Sequence, residues 1–361
     1  MNKRSAGKIF IFTAFILTAL GLVLLISASV PLSQENFGES YYYFRHQLIF
    51  GFGAGLVLFF ITRKIPLVVW RKLALPLFLF SILLLVLVFV PSLGFGAGGA
   101  KRWLSLGSFS FQPAEFAKLA LIIYLAAWFD KHREKLGQTS SFVSWLVIVG
   151  GVAALMAFEP DIGTTALIAG VGFIMYFAAG AKLKSLALII LLAVFGFGAL
   201  VAISPERIGR VTSFLNPASD TQGESYQLNQ ALIAIGSGGF LGKGLGRSIQ
   251  KYQYLPESIS DSVFAIIGEQ FGFVFSSVFI LLFVLLLLSG FSLARSTHSR
   301  FGTLVIVGVV SWFGLQTIIN VAGITGLIPF TGIPLPFISY GGTALALELA
   351  AVGIVSSASR N

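Results

Sequence analysis

Four charged residues lie inside long apolar stretches of the chain: Glu115, Lys118, Glu269 and Glu348. In an apolar medium each charge costs several kcal/mol unless it is paired or hydrated. Glu115 and Lys118 are three positions apart, so on a helix they share one face and can form an ion pair. That pair either lines a polar cavity or holds two helices together. Glu269 and Glu348 are interpreted as residues that form hydrogen bonds between helices.

A further carboxylate, Asp261, stands where a long polar loop meets the next apolar stretch, four residues after Glu257. A carboxylate in this position often caps a helix N-terminus, where the helix dipole favours negative charge. The same position would also bring Asp261 to the rim of an apolar bundle, near the head group of a lipid-linked substrate. The residues alone leave both interpretations open.

Basic residues accumulate in the same polar loops, one of them directly before Trp103. The set is Lys101, Arg102, Arg210, Lys243, Arg247 and Lys251. As a group these residues favour an anionic, lipid-linked ligand such as a pyrophosphate. For any single residue, contact with lipid headgroups is an equally good explanation.

Several motif matches carry no function. Residues 94–99 fit G-x-G-x-x-G, but no βαβ unit surrounds them, and residues 237–244 lack the Ser or Thr of a phosphate loop. The three histidines are far apart and have no metal-ligand spacing. Nothing points to ATP or structural zinc. The cofactor stays unknown: a divalent cation is possible, although no ligand spacing indicates one.

The composition decides what kind of protein must position these residues. The chain has 361 residues, of which 56% are apolar and 11% charged, and it has no cysteine. Soluble domains are about a quarter charged, so this chain cannot form a soluble surface. Its apolar content excludes disorder, and the lack of cysteine excludes a disulfide scaffold. The sequence therefore predicts an integral membrane protein.

Because about 20 apolar residues cross a bilayer, the chain is predicted to be all-α with ten transmembrane helices. The spans are 8–30, 44–62, 72–91, 112–129, 142–158, 162–179, 185–204, 262–290, 302–323 and 338–357. They form one domain over residues 1–361. Its longest connection is the loop 205–261, between the seventh and eighth helices, in which residues 226–235 form a short helix capped by Ser225.

Lysine and arginine between the spans set the orientation. Fifteen of the 24 basic residues fall on one side together with only two acidic residues, so that side is cytoplasmic. Both termini are then cytoplasmic and the loop 205–261 lies outside. The net charge of +10 reflects this bias and does not indicate nucleic-acid binding.

Five ordered motifs resemble the SEDS family (shape, elongation, division and sporulation), whose members include FtsW, RodA and SpoVE. They lie at residues 102–118, at 159–164 in a P-D-x-G-T element, at 238–246, at 254–257 as Tyr-Leu-Pro-Glu, and at 334–342. Details near Arg210 and at the C-terminus are more similar to FtsW and SpoVE than to RodA. The chain departs from the family next to its aspartate, where Ile259, Ser260 and Ser262 replace the usual His, Thr and Phe.

The resemblance implies a peptidoglycan glycosyltransferase that polymerises lipid II on the outer face of the bacterial cytoplasmic membrane, in cell division or shape. Its partners would be a class B penicillin-binding protein, lipid II, the nascent glycan strand and the membrane. Asp261 would be the catalytic general base in an inverting transfer. The residues expected to bind substrate are Arg102, Trp103, Glu115, Lys118, Asp161, Arg210, Lys243 and Glu257. A flippase for lipid-linked precursors and a non-catalytic division scaffold remain alternatives.

Overall fold

The computed structural model describes residues 3–96, 101–106, 109–202, 208–209, 212, 214, 225–248, 250 and 255–360. Long apolar helices dominate these residues. The long helices are α1 (Lys3–Ala28), α4 (Ala54–Lys64), α5 (Leu67–Leu87), α6 (Pro113–Lys131), α7 (Thr139–Phe158), α8 (Ile162–Ala178), α9 (Leu183–Ala202), α10 (Tyr226–Gly238), α11 (Val263–Arg295), α12 (Arg300–Ile324) and α13 (Gly342–Arg360). Shorter pieces are α2 (Val30–Phe37), α3 (Tyr42–His46), a π-helix (Gln47–Gly53) and a 3-10 turn (Arg133–Lys135).

Helix occupies each of the ten segments predicted to span the membrane. Among the described residues, seven helices are long and apolar enough to cross a bilayer. Ile162–Ala178 is apolar but shorter, and α6 carries Glu115, Lys118 and Asp130 within its length. The protein is therefore mostly helical with many apolar spans, while ten crossings and cytoplasmic termini stay predictions.

The centre of the bundle is formed by α12 and α13. In these helices 78% and 89% of the residues in the apolar stretch are buried, against 22% in α5. Helix α6 is also buried along most of its length, including Glu115 and Lys118. Since α5 and much of α9 leave large apolar side chains exposed, these outer helices present the surface that lipid would cover.

The predicted eighth span is broken in the structure. Gly272 has φ 69° and ψ −170° inside α11, which divides the helix into two pieces. The second piece, from Phe273 to Arg295, is about 35 Å long at 1.5 Å per residue and can cross the hydrocarbon core by itself. The first piece, from Val263 to Phe271, is almost completely buried and packs against α10.

Glycines permit the close packing of α10 against the first piece of α11. A Cβ on Gly238 would overlap the backbone carbonyl of Gly268, and a Cβ on Gly242 would overlap that of Gln270. Helix α10 covers the segment predicted to be helical, 226–235, and extends three residues further. Ser225 is the N-cap residue, as predicted, but its side chain makes no capping hydrogen bond there.

Two connections hold the motif residues at one end of the bundle. Within the described residues, three short antiparallel strands form a small sheet: β1 (Gly94–Phe95), β2 (Trp103–Leu106) and β3 (Phe109–Phe111). Trp103 pairs with Phe95 in this sheet. The turn between Phe158 and Ile162 joins α7 and α8, which pack together as a helical hairpin.

Candidate functional site

Asp261 lies at the end of a tight turn directly before α11. Its side chain is buried, and Oδ1 is 3.4 Å from both Gln227 Nε2 and Ser262 Oγ. The N-cap residue of α11 is Ser262, one position later than the capping interpretation of Asp261 requires. Burial, and then the neighbouring Glu257 carboxylate, raises the pKa of Asp261 to about 7. A carboxyl with this pKa can both accept and release a proton near neutral pH.

The backbone around Asp261 is held by residues much later in the chain. Asn320 Nδ2 donates to the Asp261 carbonyl oxygen and to that of Ile333, both at 2.7 Å. Tyr340 N donates to the Ile259 carbonyl at 2.8 Å, and the Ser339 hydroxyl donates to the Ser260 carbonyl. We call the segment 331–340 the Asp261 seat, because it and α12 fix the position of this turn.

Glu115 and Lys118 form the predicted ion pair, with 2.8 Å between Oε1 and Nζ and both side chains 3% exposed. Lys118 Nζ also donates to Gln316 Oε1 at 3.1 Å and lies 4.8 Å from the centre of the Trp312 ring. Gln316 in turn donates to the Pro334 carbonyl of the Asp261 seat. The lysine is therefore tied to the same segment that positions the aspartate.

The two anchors of the seat lie on one face of α12. Gln316, which contacts Lys118, and Asn320, which contacts the Asp261 backbone, are four residues or about 6 Å apart. The seat is also held by Glu348 of α13, whose carboxylate accepts a hydrogen bond from Phe337 N at 2.7 Å. Glu348 therefore bonds to the non-helical seat, whereas the prediction was a hydrogen bond to another helix.

Arg102 lies against the turn between α7 and α8. Its Nε donates to the Glu159 carbonyl at 3.2 Å and Nη2 donates to the Pro160 carbonyl at 2.5 Å. Asp161 caps α8, because its Oδ1 accepts from Thr164 N at 3.0 Å. Arg102 and Asp161 were both expected to bind substrate. Of these, the Asp161 carboxylate accepts a hydrogen bond from its own helix.

The carboxyl of Glu159 is buried beneath this turn. It is 1% exposed, and neither of its oxygens has a hydrogen-bond partner among the residues that the structure describes. Burial and then the Asp161 charge raise the pKa of Glu159 to about 8, against the opposing effect of Arg102. The following helix reaches the Asp261 seat, since a Cβ on Gly163 would meet Ile333 and the Thr331 carbonyl.

Lys243 and Glu257 have local partners. Lys243 Nζ is 2.9 Å from Glu269 Oε1, and Ser248 Oγ also donates to this carboxylate. Glu269 therefore connects the loop 239–248 to α11. Glu257, at φ 48°, accepts from Ser260 Oγ at 2.7 Å and shapes the turn before Asp261.

The structure thus brings Asp261, Glu115, Lys118 and the turn 159–163 around one segment. Trp103 lies in β2 beside Arg102, while Arg210 and Lys251 lie outside the described residues. Sequence reasoning missed Gln227, Gln316 and Asn320. A signal existed for two of them, because Gln316 and Asn320 are polar residues one turn apart in an apolar helix. No three His, Cys, Asp or Glu side chains gather as a metal site within the described part of the chain.

Comparison with known proteins identifies the family of the chain. The family model for FtsW, RodA and SpoVE, described as cell cycle protein, matches residues 7–361. The chain therefore belongs to the FtsW/RodA/SpoVE family, as its motifs predicted. It is 38% identical over 360 residues to stage V sporulation protein E of Bacillus subtilis, covering 99% of this chain and 98% of the relative. It is 37% identical to the probable peptidoglycan glycosyltransferase FtsW of a Geobacter species, covering 97% and 96%.

Solved structures have the same fold. One, described as a peptidoglycan synthase complex that coordinates polymerization and crosslinking, aligns with a TM-score of 0.79 at 27% identity, over 97% of this chain and 96% of the other. The rod shape determining protein RodA of Thermus thermophilus aligns with a TM-score of 0.71 at 27% identity, over 97% and 95%.

Proposed function

We propose that this protein is a peptidoglycan glycosyltransferase that polymerises lipid II at the outer face of the cytoplasmic membrane. Its full-length relatives include probable peptidoglycan glycosyltransferases. The observation that carries the proposal is a buried carboxyl of raised pKa, Asp261, held where the family's motifs converge. Enzymes place and tune their general bases in this way.

In the proposed reaction, Asp261 accepts the proton of the 4-hydroxyl of the acceptor sugar as that oxygen attacks the anomeric carbon of the donor. A carbon–oxygen bond forms, and the bond from the anomeric carbon to the pyrophosphate breaks. The electron pair leaves with the polyprenyl pyrophosphate, and the configuration at the anomeric carbon inverts. One carboxylate is sufficient because the leaving group is already good, in contrast to the two carboxyl groups that glycoside hydrolysis uses.

Of the two cations near this site, one supports the proposal that an anionic leaving group is bound there. Arg102 uses Nε and Nη2 on backbone carbonyls, which leaves other guanidinium donors for a phosphate oxygen. Lys118 is enclosed by Glu115, Gln316 and Trp312. We therefore assign Arg102 to the pyrophosphate, together with Arg210 on sequence grounds, and Lys118 to holding the Asp261 seat in place.

A class B penicillin-binding protein is the proposed partner. The support is the solved peptidoglycan synthase complex, whose aligned chain has a TM-score of 0.79 with this one. Such a partner would crosslink the strands that this protein makes.

The test is glycan polymerisation by the purified protein in detergent, with and without the partner transpeptidase. Asp261→Asn and Asp261→Ala should lower the rate about 10²- to 10⁴-fold, the usual contribution of a positioned base. The rate of the unmutated protein should rise as the pH passes about 7, because the base must be deprotonated. Glu134→Gln, which alters an exposed carboxylate on a connecting turn, is the matched control.

Full activity in Asp261→Asn would exclude the role of Asp261 as base. Polymer formation in detergent would exclude a flippase as the only activity, because no second compartment exists there. If the unmutated protein forms no polymer with its partner present, the proposal is wrong and the flippase and scaffold alternatives remain.

A further inference from the structure

Aromatic rings form an ordered group on the connection between α1 and α4. Phe37 and Tyr42 are stacked with their ring centres 3.6 Å apart and their planes at 15°, and Tyr42 continues to His46 at 6.2 Å and 21°. We call Phe37, Tyr42 and His46 the aromatic column. Tyr43 packs edge-on against both Phe37 and Tyr42, so the rings have a fixed arrangement. Phe37 is nevertheless 46% exposed.

The aromatic column is joined to the turn that carries Asp261. The Tyr340 hydroxyl lies 3.0 Å from His46 Nδ1, and its ring packs edge-on against Tyr43 at 5.1 Å. The backbone N–H of the same tyrosine donates to the Ile259 carbonyl, two residues before Asp261. One residue therefore contacts both the column and the turn, which places the column beside the candidate site.

A local irregularity of the backbone supports this junction. A π-helix from Gln47 to Gly53 follows the column directly, and such helices occur frequently at functional sites. Gln47 is buried there and its Oε1 accepts from Gly341 N at 3.0 Å. The junction between the column and the Asp261 seat is thus closed by specific hydrogen bonds rather than by general apolar packing.

Polar side chains lie on the same connection as the column. Asn36 Nδ2 donates to the Tyr43 hydroxyl at 3.0 Å, and Glu39 and Arg45 form an exposed ion pair nearby in the chain. Amide, carboxylate and guanidinium groups at the edge of a stack of aromatic faces suit a ligand that has apolar faces and polar edges. Sugar rings have this character, since their C–H faces pack on aromatic rings while their hydroxyl and acetamido groups form hydrogen bonds.

We propose that the aromatic column is a glycan-binding subsite, which holds sugar rings of the growing strand beside the turn that carries Asp261. This inference rests on the proposed function, and it adds the place where the growing glycan strand is held. A strand retained here stays next to the reacting centre between successive additions. Loss of the subsite would therefore lower the mean length of the glycan strands when the same amount of lipid II has been consumed.

The first test concerns Phe37, the exposed end of the column, because Tyr42 lies between Phe37 and His46. It compares Phe37→Ala with Phe37→Tyr, which keeps the ring, and with Phe12→Ala, an exposed phenylalanine of α1 away from the column. The mean strand length is measured in detergent at equal consumption of lipid II. Phe37→Ala should shorten the strands about 3- to 10-fold, the effect expected from loss of one aromatic stacking contact. Phe37→Tyr and Phe12→Ala should retain the length of the unmutated protein.

The second test is binding of a soluble tetrasaccharide of alternating N-acetylglucosamine and N-acetylmuramic acid, measured by saturation-transfer NMR. Asp261→Asn should bind the tetrasaccharide and Phe37→Ala should bind it about 3- to 10-fold more weakly. Unchanged strand length together with unchanged binding in a folded Phe37→Ala would overturn the subsite and leave the proposed function intact. If the unmutated protein makes no polymer, the proposed function fails, and the binding comparison alone then decides whether the subsite exists.

Discussion

At the scale of single residues, two buried carboxyl groups differ in what surrounds them. Asp261 has the amide of Gln227 and the hydroxyl of Ser262 within reach, and its pKa is raised to about 7. Glu159 has no hydrogen-bond partner among the described residues, and its pKa is raised to about 8. The first group is suited to exchanging a proton. The second resists ionisation and holds its proton at neutral pH.

Glu159 therefore predicts a dependence of stability on pH. An unfolded glutamate loses its proton near pH 4.5, whereas in the folded protein it keeps the proton to about pH 8. Its contribution to folding is thus most favourable at low pH and is lost as the pH rises from about 4.5 through 8. Glu159→Gln cannot ionise, so it should raise the midpoint of thermal unfolding in detergent more at pH 9 than at pH 5.

The control for this experiment is Glu134→Gln, whose carboxylate is exposed and should give no such difference between the two pH values. An equal effect of Glu159→Gln at pH 5 and pH 9 would mean that this carboxyl ionises alike in the folded and unfolded chains.

At the scale of elements, the loop 239–248 packs against α11 at the end of the piece that follows Asp261. Gly242 has φ 79°, and a Cβ there would overlap the Gln270 carbonyl. The N–H groups of Lys243 and Gly244 donate to the Glu269 and Gln270 carbonyls, next to the break at Gly272. The loop thus satisfies backbone groups that the broken helix leaves available.

Gly242→Ala should separate this loop from α11. The backbone conformation alone costs about 1–3 kcal/mol for a residue with a Cβ, and the steric overlap adds to this. We expect a lower unfolding midpoint and faster proteolysis within 239–262. Gly236→Ala is the matched control, because nothing lies within 4 Å of the Cβ it would add. Equal stability of the two variants would contradict the close contact.

The helices were predictable because each is marked by a continuous apolar run, and the Glu115–Lys118 pair because spacing on one helix is local. The break at Gly272 was not predictable, since a glycine within a helix is often tolerated and here a separate loop causes the break. Strands of two to four residues leave no periodic signal, so the sheet was missed. The seat of Asp261 was missed because its contacts join residues about 60 to 80 positions apart.

At the scale of the whole molecule, the proposal requires the Asp261 end of the bundle to face outwards. The chain has no cysteine, so a single introduced cysteine reports its own accessibility. In spheroplasts, an impermeant maleimide should label Glu257→Cys directly and Lys135→Cys only after permeabilisation. Labelling of Glu257→Cys only after permeabilisation would place the site on the cytoplasmic side and remove access to an external acceptor.

The hydrogen bonds of Asn320, Ser339 and Tyr340 also determine when the site can exist during synthesis. A ribosome that has just completed α11 has already added Asp261, but none of the residues that hold its turn. The carboxyl therefore acquires its final environment only after the last two helices enter the membrane. Incomplete chains that already contain Asp261 therefore lack the hydrogen bonds that position it.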